Sequence, residues 1–377
     1  MTPRPFPQAG QQRGPSGPPR PSASRRAAGR RWRAAVGLLL AVAGFAAPAV
    51  RALEWTVASD RPVIRPGQLF GDLDAKRAGA AHVIRLGDTY RMYYWGTDRR
   101  GFHRVLMATS SVDAPNDWKP LGVALERQPE TEHNYFGPSF PHVVPRSGRP
   151  WLMYVCAWGK GAGGGAVENR TCVATSDDGG LTWTYAAANP CLALDQPYDR
   201  MATGSLWVLP HGEGLRMYYT AIGRYYPRPA GVESGHGDTL PEVGIAYAES
   251  KDGLHWEKPL AHLLISPRRF EAAPYEYICS KPCIVKIGDT YHLWVNTFSR
   301  AYRVRHLTSP DGQHWAWLPS GPEGEMGVGA PGAFDDGQRC YPTIVEHEGE
   351  LRAWFSANGY GATGIGYATA RTKDLRP

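Results

Sequence analysis

Apolar and polar residues alternate in short runs from Glu54 to Thr369, and no stretch carries a convincing helical period. The pattern predicts strands grouped in a repeated unit. Each unit opens with an apolar strand that often contains Pro, followed by a tight polar turn, an aromatic strand and a loop. A third strand then ends in Ser-x-Asp, and a turn closes on Trp. The first copy runs through Ala81–Ile84, the turn Gly87-Asp88, Tyr90–Tyr94, and Ser111-x-Asp113 to Trp118. The second is Pro141–Val144, Trp151–Tyr154 and Ser176–Trp183, and the third is Ser205–Leu209, Leu215–Tyr219 and Ser250–Trp256. The fourth is Pro282–Val285, Gly288-Asp289, Tyr291–Trp294 and Ser309–Trp315, and the fifth is Pro342–Val345, Leu351–Phe355 and Gly364–Thr369.

Equivalent second-strand positions (Met92, Met153, Met217, Leu293, Ala353) lie 61, 64, 76 and 60 residues apart. That spacing suits four-stranded blades with generous loops. The fifth copy lacks its Asp-turn-Trp and its fourth strand, and the piece from Glu54 to Pro66 resembles what is missing. The predicted fold is therefore all-β, a five-bladed β-propeller whose last blade is closed by an N-terminal strand. Closure of this kind removes an exposed sheet edge.

Blade topology sorts the motifs by face. The Ser-x-Asp-Gly-x-x-Trp turns lie between third and fourth strands and are similar to the Asp-box turns of sialidases. Asp113, Asp178, Asp252 and Asp311 are assigned to structure, accepting backbone N–H groups in those turns. The opposite face gathers the residues before each first strand and the loops between second and third strands. Acids cluster there: Asp72 and Asp74, Glu132-His133-Asn134, Asp199-Arg200, Glu276, and Asp335-Asp336 with Arg339. Glycoside hydrolysis needs two carboxyl groups flanking the bond, and burial raises the pKa of the acid member. The loops add Asp98, Arg99, Arg100 and His103, then Tyr225, Tyr226, His236 and Asp238, then Asn358-Gly359-Tyr360. Aromatic, Arg, Asn and His side chains suit a sugar. Gly359-x-Gly361-x-x-Gly364 matches a dinucleotide fingerprint in letters only, because it joins two antiparallel strands. The glycine run 159–165 lacks Gly-Lys-Ser/Thr and reads as a loop over the channel.

Composition agrees. The 377 residues include 44 Gly, 33 Pro, 13 Trp and 19 Tyr, a profile of turns and aromatic strands. The net charge of +7 is local: residues 1–52 hold nine Arg, no Lys and no acid, so the other 33 basic residues face 35 acids. The remaining net of −2 gives no electrostatic case for nucleic acid. Residues 1–52 read as an Arg/Pro-rich disordered tail plus an export signal, with an apolar stretch Ala34–Val50 and a cleavage site at Val50-Arg51-Ala52. Residues 53–377 form the propeller. An exported, periplasmic or secreted monomer is expected, held at a membrane only if the signal is uncleaved. Six Cys fit an oxidising compartment, and Cys156 and Cys172 are expected at mirrored hairpin positions that let them face each other.

The repeated apolar strand, Gly-Asp turn, Tyr-x-Met-Tyr-Tyr and Ser-x-Asp-Gly-x-x-Trp resemble the five-bladed propellers of glycoside hydrolase families 43, 32 and 130 over about residues 53–373. The resemblance implies a base, an acid and a tuning carboxylate near the starts of first strands, for which Asp74, Glu276 and Asp199 respectively are the nearest matches. His133, Arg200, Asp336, Arg339, Asp98, His103, Asn358 and Tyr360 are the matching substrate-binding candidates. Departures mark a diverged branch: the family 32 motifs are missing, Ala81-His82 opens blade one, and Phe136–Ser139 stands where blade two might carry an acid. The expected activity is hydrolysis of an extracytoplasmic oligo- or polysaccharide. A non-catalytic carbohydrate-binding propeller and an interaction scaffold are the alternatives. No organic cofactor is expected, and a divalent cation in the channel stays an open question.

Overall fold

The computed structural model describes residues 53–161, 167–269, 271 and 274–375. The tail and export signal expected at 1–52 lie outside the described residues, as does 162–166 of the glycine-rich run.

The described chain is almost entirely β. After β1 (Thr56–Val57) comes the meander β2 (Arg77–Leu86), β3 (Thr89–Thr97), β4 (His103–Ser111) and β5 (Lys119–Leu125). A second meander is β6 (Gly137–Val144), β7 (Trp151–Lys160), β8 (Val167–Ser176) and β9 (Thr184–Tyr185). Then follow β10 (Ala202–His211), β11 (Gly214–Pro227), β12 (Thr239–Ser250), β13 (Ile278–Ile287), β14 (Thr290–Phe298), β15 (Tyr302–Ser309) and β16 (Ala316–Trp317). The last strands are β17 (Cys340–His347), β18 (Glu350–Ser356) and β19 (Ile365–Arg371).

Three sheets have four strands and one has seven, β10 to β16. Within the seven, every neighbouring pair is antiparallel except β12 and β13, which meet in parallel at Val243 and Ile278 alone. Glu257 and Ile265 bridge back to β12 at Glu249 and Ile245, where a fourth strand would run. The first strand completes the last sheet: Thr56 pairs with Thr369 and Val57 with Ala368. The five opening strands touch in a cycle, β2 with β6, β6 with β10, β10 with β13, β13 with β17, and β17 with β2.

Each opening strand is interrupted at the same place. Its register slips at Gly79/His82, Ser139/His142, Thr203/Leu206, Ser280/Cys283 and Cys340/Thr343. At these bulges Ala80, Phe140, Lys281 and Tyr341 take φ of 45°, 48°, 48° and 55°. Non-glycine residues rarely adopt that region, so tertiary packing must hold them there. The bulge re-aims one side chain per strand, and this matters for the site.

The Asp turns are structural, as expected. Asp178 Oδ1 accepts the N–H groups of Leu181 and Thr182, Asp252 those of Leu254 and His255, and Asp311 those of Gln313 and His314. The N–H of Asp113 donates to Ser111 Oγ, as those of Asp252 and Asp311 do to Ser250 and Ser309. The turns also bind sheet to sheet, because Tyr93, Tyr154 and Tyr218 donate their hydroxyls to the carbonyls of Gly180, Gly253 and Gly312 of the following repeat, each at 2.7 Å. A Cβ on Gly180 would lie 2.5 Å from Tyr93 Oη, so only glycine admits this bond.

The cysteine expectation needs correction. Cys172 lies opposite Val155, and Cys156 opposite Thr171. The one-residue offset turns the two thiols to opposite faces, and all six cysteines are free.

Candidate functional site

The bulges surround a cavity of about 350 Å³ at the start of the opening strands. Phe140, Ser205 and Tyr341 come to it from three bulge positions, and Trp95 and Trp158 from the ends of second strands. Tyr225, His236, Tyr302 and Tyr360 complete its aromatic lining.

The rings form a continuous belt. Trp158 stacks on Trp95 at 6.1 Å and 20°, and Trp95 leans on Phe140 at 5.4 Å. Phe140 meets Tyr341 edge-on at 5.0 Å, and Tyr341 touches Tyr302 at 5.1 Å and Tyr360 at 6.2 Å. Trp158 is fixed by its indole N–H, which donates to Ser139 Oγ. Tyr225 stays 55% exposed, a free ring at the mouth. No carboxylate lines this cavity among the described residues.

Four of the residues singled out in the sequence belong here. Tyr225, His236 and Tyr360 line the cavity, and His103 stands against Trp95 and Trp158 at 5.2 and 5.5 Å with Nδ1 beside Thr97 Oγ1. Burial, reinforced by the Arg77 charge, pushes His103 down to about 3, so its ring is neutral.

The three candidate catalytic acids lie elsewhere, each held by internal partners. Asp74 is fully buried, accepts Tyr94 Oη at 2.8 Å and the Gly67 N–H, and burial raises its pKa. Asp199 repeats that arrangement, accepting Tyr219 Oη at 2.8 Å, Lys258 Nζ at 2.6 Å and the Gln196 N–H. Glu276 Oε1 receives Arg305 Nε at 3.0 Å and Nη2 at 2.6 Å, while its Oε2 is buried without a partner. None of the three is a lining residue.

The remaining candidates sit in separate local networks. Asp98 accepts the N–H groups of Arg100 and Phe102 and faces Arg104 at 3.4 Å. Asp336 and Asn358 bond each other at 2.8 Å, and Arg339 binds Asp335 at 2.7 Å. Arg200 is exposed, donates to the Gly223 carbonyl, and borders a different depression with Arg224 and Glu242. His133 has a buried Nε2 with no hydrogen-bond partner among the described residues. Sequence reasoning missed Trp95, Phe140, Trp158, Tyr302 and Tyr341. The available signal was the residue before proline in Phe140-Pro141, Lys281-Pro282 and Tyr341-Pro342.

For the metal question, the described residues contain no group of three or more His, Cys, Asp or Glu arranged to hold an ion.

Solved structures named as glycoside hydrolases share this fold. A solved structure described as "Glycoside hydrolase" superposes with a TM-score of 0.63 at 17% identity, covering 84% of this chain and 92% of that one. A thermostable family-43 glycoside hydrolase superposes with a TM-score of 0.54 at 15% identity, over 78% and 88%. At such identities the likeness is one of fold. By sequence, the chain belongs to the family of "Uncharacterized protein MT1551" of Mycobacterium tuberculosis (strain CDC 1551 / Oshkosh), to which it is 30% identical over 320 residues, 80% of this chain and 97% of that protein. Its counterpart Rv1502 in strain ATCC 25618 / H37Rv matches over the same extent. No family model matches the chain.

Proposed function

We propose that this protein is a five-bladed propeller that binds a glycan in the aromatic cavity without hydrolysing it. One observation carries the reading: the cavity lining, to which the bulges contribute Phe140, Ser205, Ser280 and Tyr341, holds no carboxylate among the described residues. A glycosidase requires a pair of carboxyl groups across the scissile bond, and here the nearest candidates are committed to Tyr94, Tyr219 and Arg305. The rings, by contrast, suit the apolar faces of sugars, with Ser205, Thr220 and Ser280 supplying hydroxyls. The blade count is supported by the cycle of five opening strands, with the seven-stranded sheet read as two blades joined at one residue pair. Residues 1–52 export the chain in this reading, so the glycan is extracytoplasmic.

Trp158→Ala is expected to weaken glycan binding by about thirtyfold, the scale of a 2 kcal/mol anchor residue. Tryptophan fluorescence titration against an oligosaccharide panel checks it, with melting temperature as the folding control. Aryl glycosides should remain uncleaved. Turnover above background that disappears in Asp74→Asn or Glu276→Gln would overturn the proposal in favour of a hydrolase.

A further inference from the structure

Arg77 stands at the rim of the cavity, its guanidinium 4.5 Å above the Trp95 ring and 6.0 Å from Tyr360. Its Nε donates to the Gly359 carbonyl at 3.3 Å. Neither Nη has a hydrogen-bond or ion-pair partner among the described residues. Several other part-buried arginines are matched to acids, Arg104 to Asp98, Arg303 to Glu323, Arg305 to Glu276 and Arg339 to Asp335, while the buried Arg216 donates instead to the Asp311 carbonyl. Lys281 likewise has no acid partner among the described residues. It is 2% exposed, sits on the same ring of bulges as Phe140 and Tyr341, and no carboxylate reaches its Nζ. Its nearest aromatic face is Trp207, at 5.7 Å. The buried Cys340 thiol feels the charge of both cations.

We propose that the glycan bound in this cavity carries an oxyanion, a carboxylate or a sulfate or phosphate ester, received by the two free Nη groups of Arg77 and drawn by the field of Lys281. This rests on the glycan-binding reading above. A cation taken out of water without a counter-charge is unfavourable. A neutral sugar leaves that cost in place, whereas an anionic one offsets it at the moment of binding. Arg77 is also poised for the task. Stacking on Trp95 orients the guanidinium plane, the Nε–Gly359 bond fixes its rotation, and the Nη edge remains as a fork that matches two oxygens side by side.

The test uses the full chain and matched pairs of probes: oligogalacturonate with its carboxyl-reduced form, chondroitin 4-sulfate oligosaccharide with its desulfated form, and mannose 6-phosphate with mannose. Calorimetric titration should show one anionic member binding at least tenfold more tightly than its neutral partner. Whichever pair shows the preference identifies the oxyanion. In Arg77→Gln, a half-buried position whose folding is checked by melting temperature, the preference should shrink to about twofold or less. Equal binding of acid and neutral partners, or a preference that survives Arg77→Gln, overturns the oxyanion assignment and leaves glycan binding standing. Absence of binding by every member of the panel takes down both.

Discussion

Between pH 6.5 and 4.5 the protein is expected to lose most of its folding stability. Three histidines are folded into the core in their neutral form: His82, His142 and His292, at 4%, 3% and 4% exposure. Burial is the first cause in each case. It holds His82 well below its ordinary value, His142 down at about 3 and His292 at about 4. The geometry agrees, because two of these rings work as acceptors. His82 Nδ1 receives the Val143 N–H and His142 Nε2 receives the Val208 N–H, each at 3.0 Å, so each ring ties its own sheet to the next. Protonating either nitrogen breaks that tie. The ammonium of Lys281 opposes it further for both rings. His292 Nδ1 meets His306 Nε2 at 3.0 Å in a pair that ends on Glu325.

The sign follows from proton counting. These are bases with lowered folded pKa, so below 6.5 the unfolded chain binds more protons, and stability present above 6.5 falls as the pH drops. At pH 4.5 His142 and His292 each contribute a loss on the order of 3 kcal/mol, and His82 adds to it in the same direction, so the sum is comparable to the whole stability of an ordinary domain. Glu325, held below the usual carboxylate range despite its burial by His306 and two tryptophan N–H groups, loses its contribution only at lower pH. The window above pH 4.5 therefore belongs to the histidines. Urea unfolding at pH 7.0, 5.5 and 4.5 measures the effect. A midpoint that stays level across that range would show that water reaches these rings.

The hairpins and their order were readable because alternation has a period of two and the turns carry Gly, Asp and Ser. The pairing of the N-terminal strand with the last sheet was readable too, from the likeness of Glu54–Pro66 to a missing fourth strand. The structure adds that Trp55 is anchored there, its indole N–H donating to Glu325 Oε1 at 3.0 Å. The cavity was harder. Its key residues lie at bulges, where one extra residue breaks the alternation that sequence patterns rely on. Phe140 and Tyr341 thus read as strand residues like any other. The acids pose the opposite problem. Asp74, Asp199 and Glu276 were noticed because they precede opening strands, but the groups that occupy them come from 20, 20 and 29 residues further on. No local pattern announces such a partner. A buried carboxylate matched to a buried tyrosine or arginine has the same letters as a catalytic one, and only the neighbouring strand distinguishes them.

Glu276 makes that distinction measurable, with a large expected effect. Its carboxylate and the Arg305 guanidinium are 2% and 4% exposed, and Arg305 also reaches Ser320 Oγ at 2.8 Å and the Gly321 carbonyl. The pair thus ties the approach to β13 to the loop after β16. Glu276→Ala leaves a buried guanidinium without its counter-charge, and should cost about 3–5 kcal/mol of stability. Replacing both partners by apolar residues of similar size, Glu276→Met with Arg305→Met, removes the stranded charge and should recover much of that loss. A catalytic Glu276 predicts the reverse pattern: near-native stability in the single variants, lost turnover in each, and no rescue by the double substitution. Chemical denaturation of the two single variants and the double variant, alongside glycan binding under native conditions, separates the two cases. An unchanged unfolding midpoint in Glu276→Ala would remove the structural role assigned here and return this carboxylate to candidacy for chemistry.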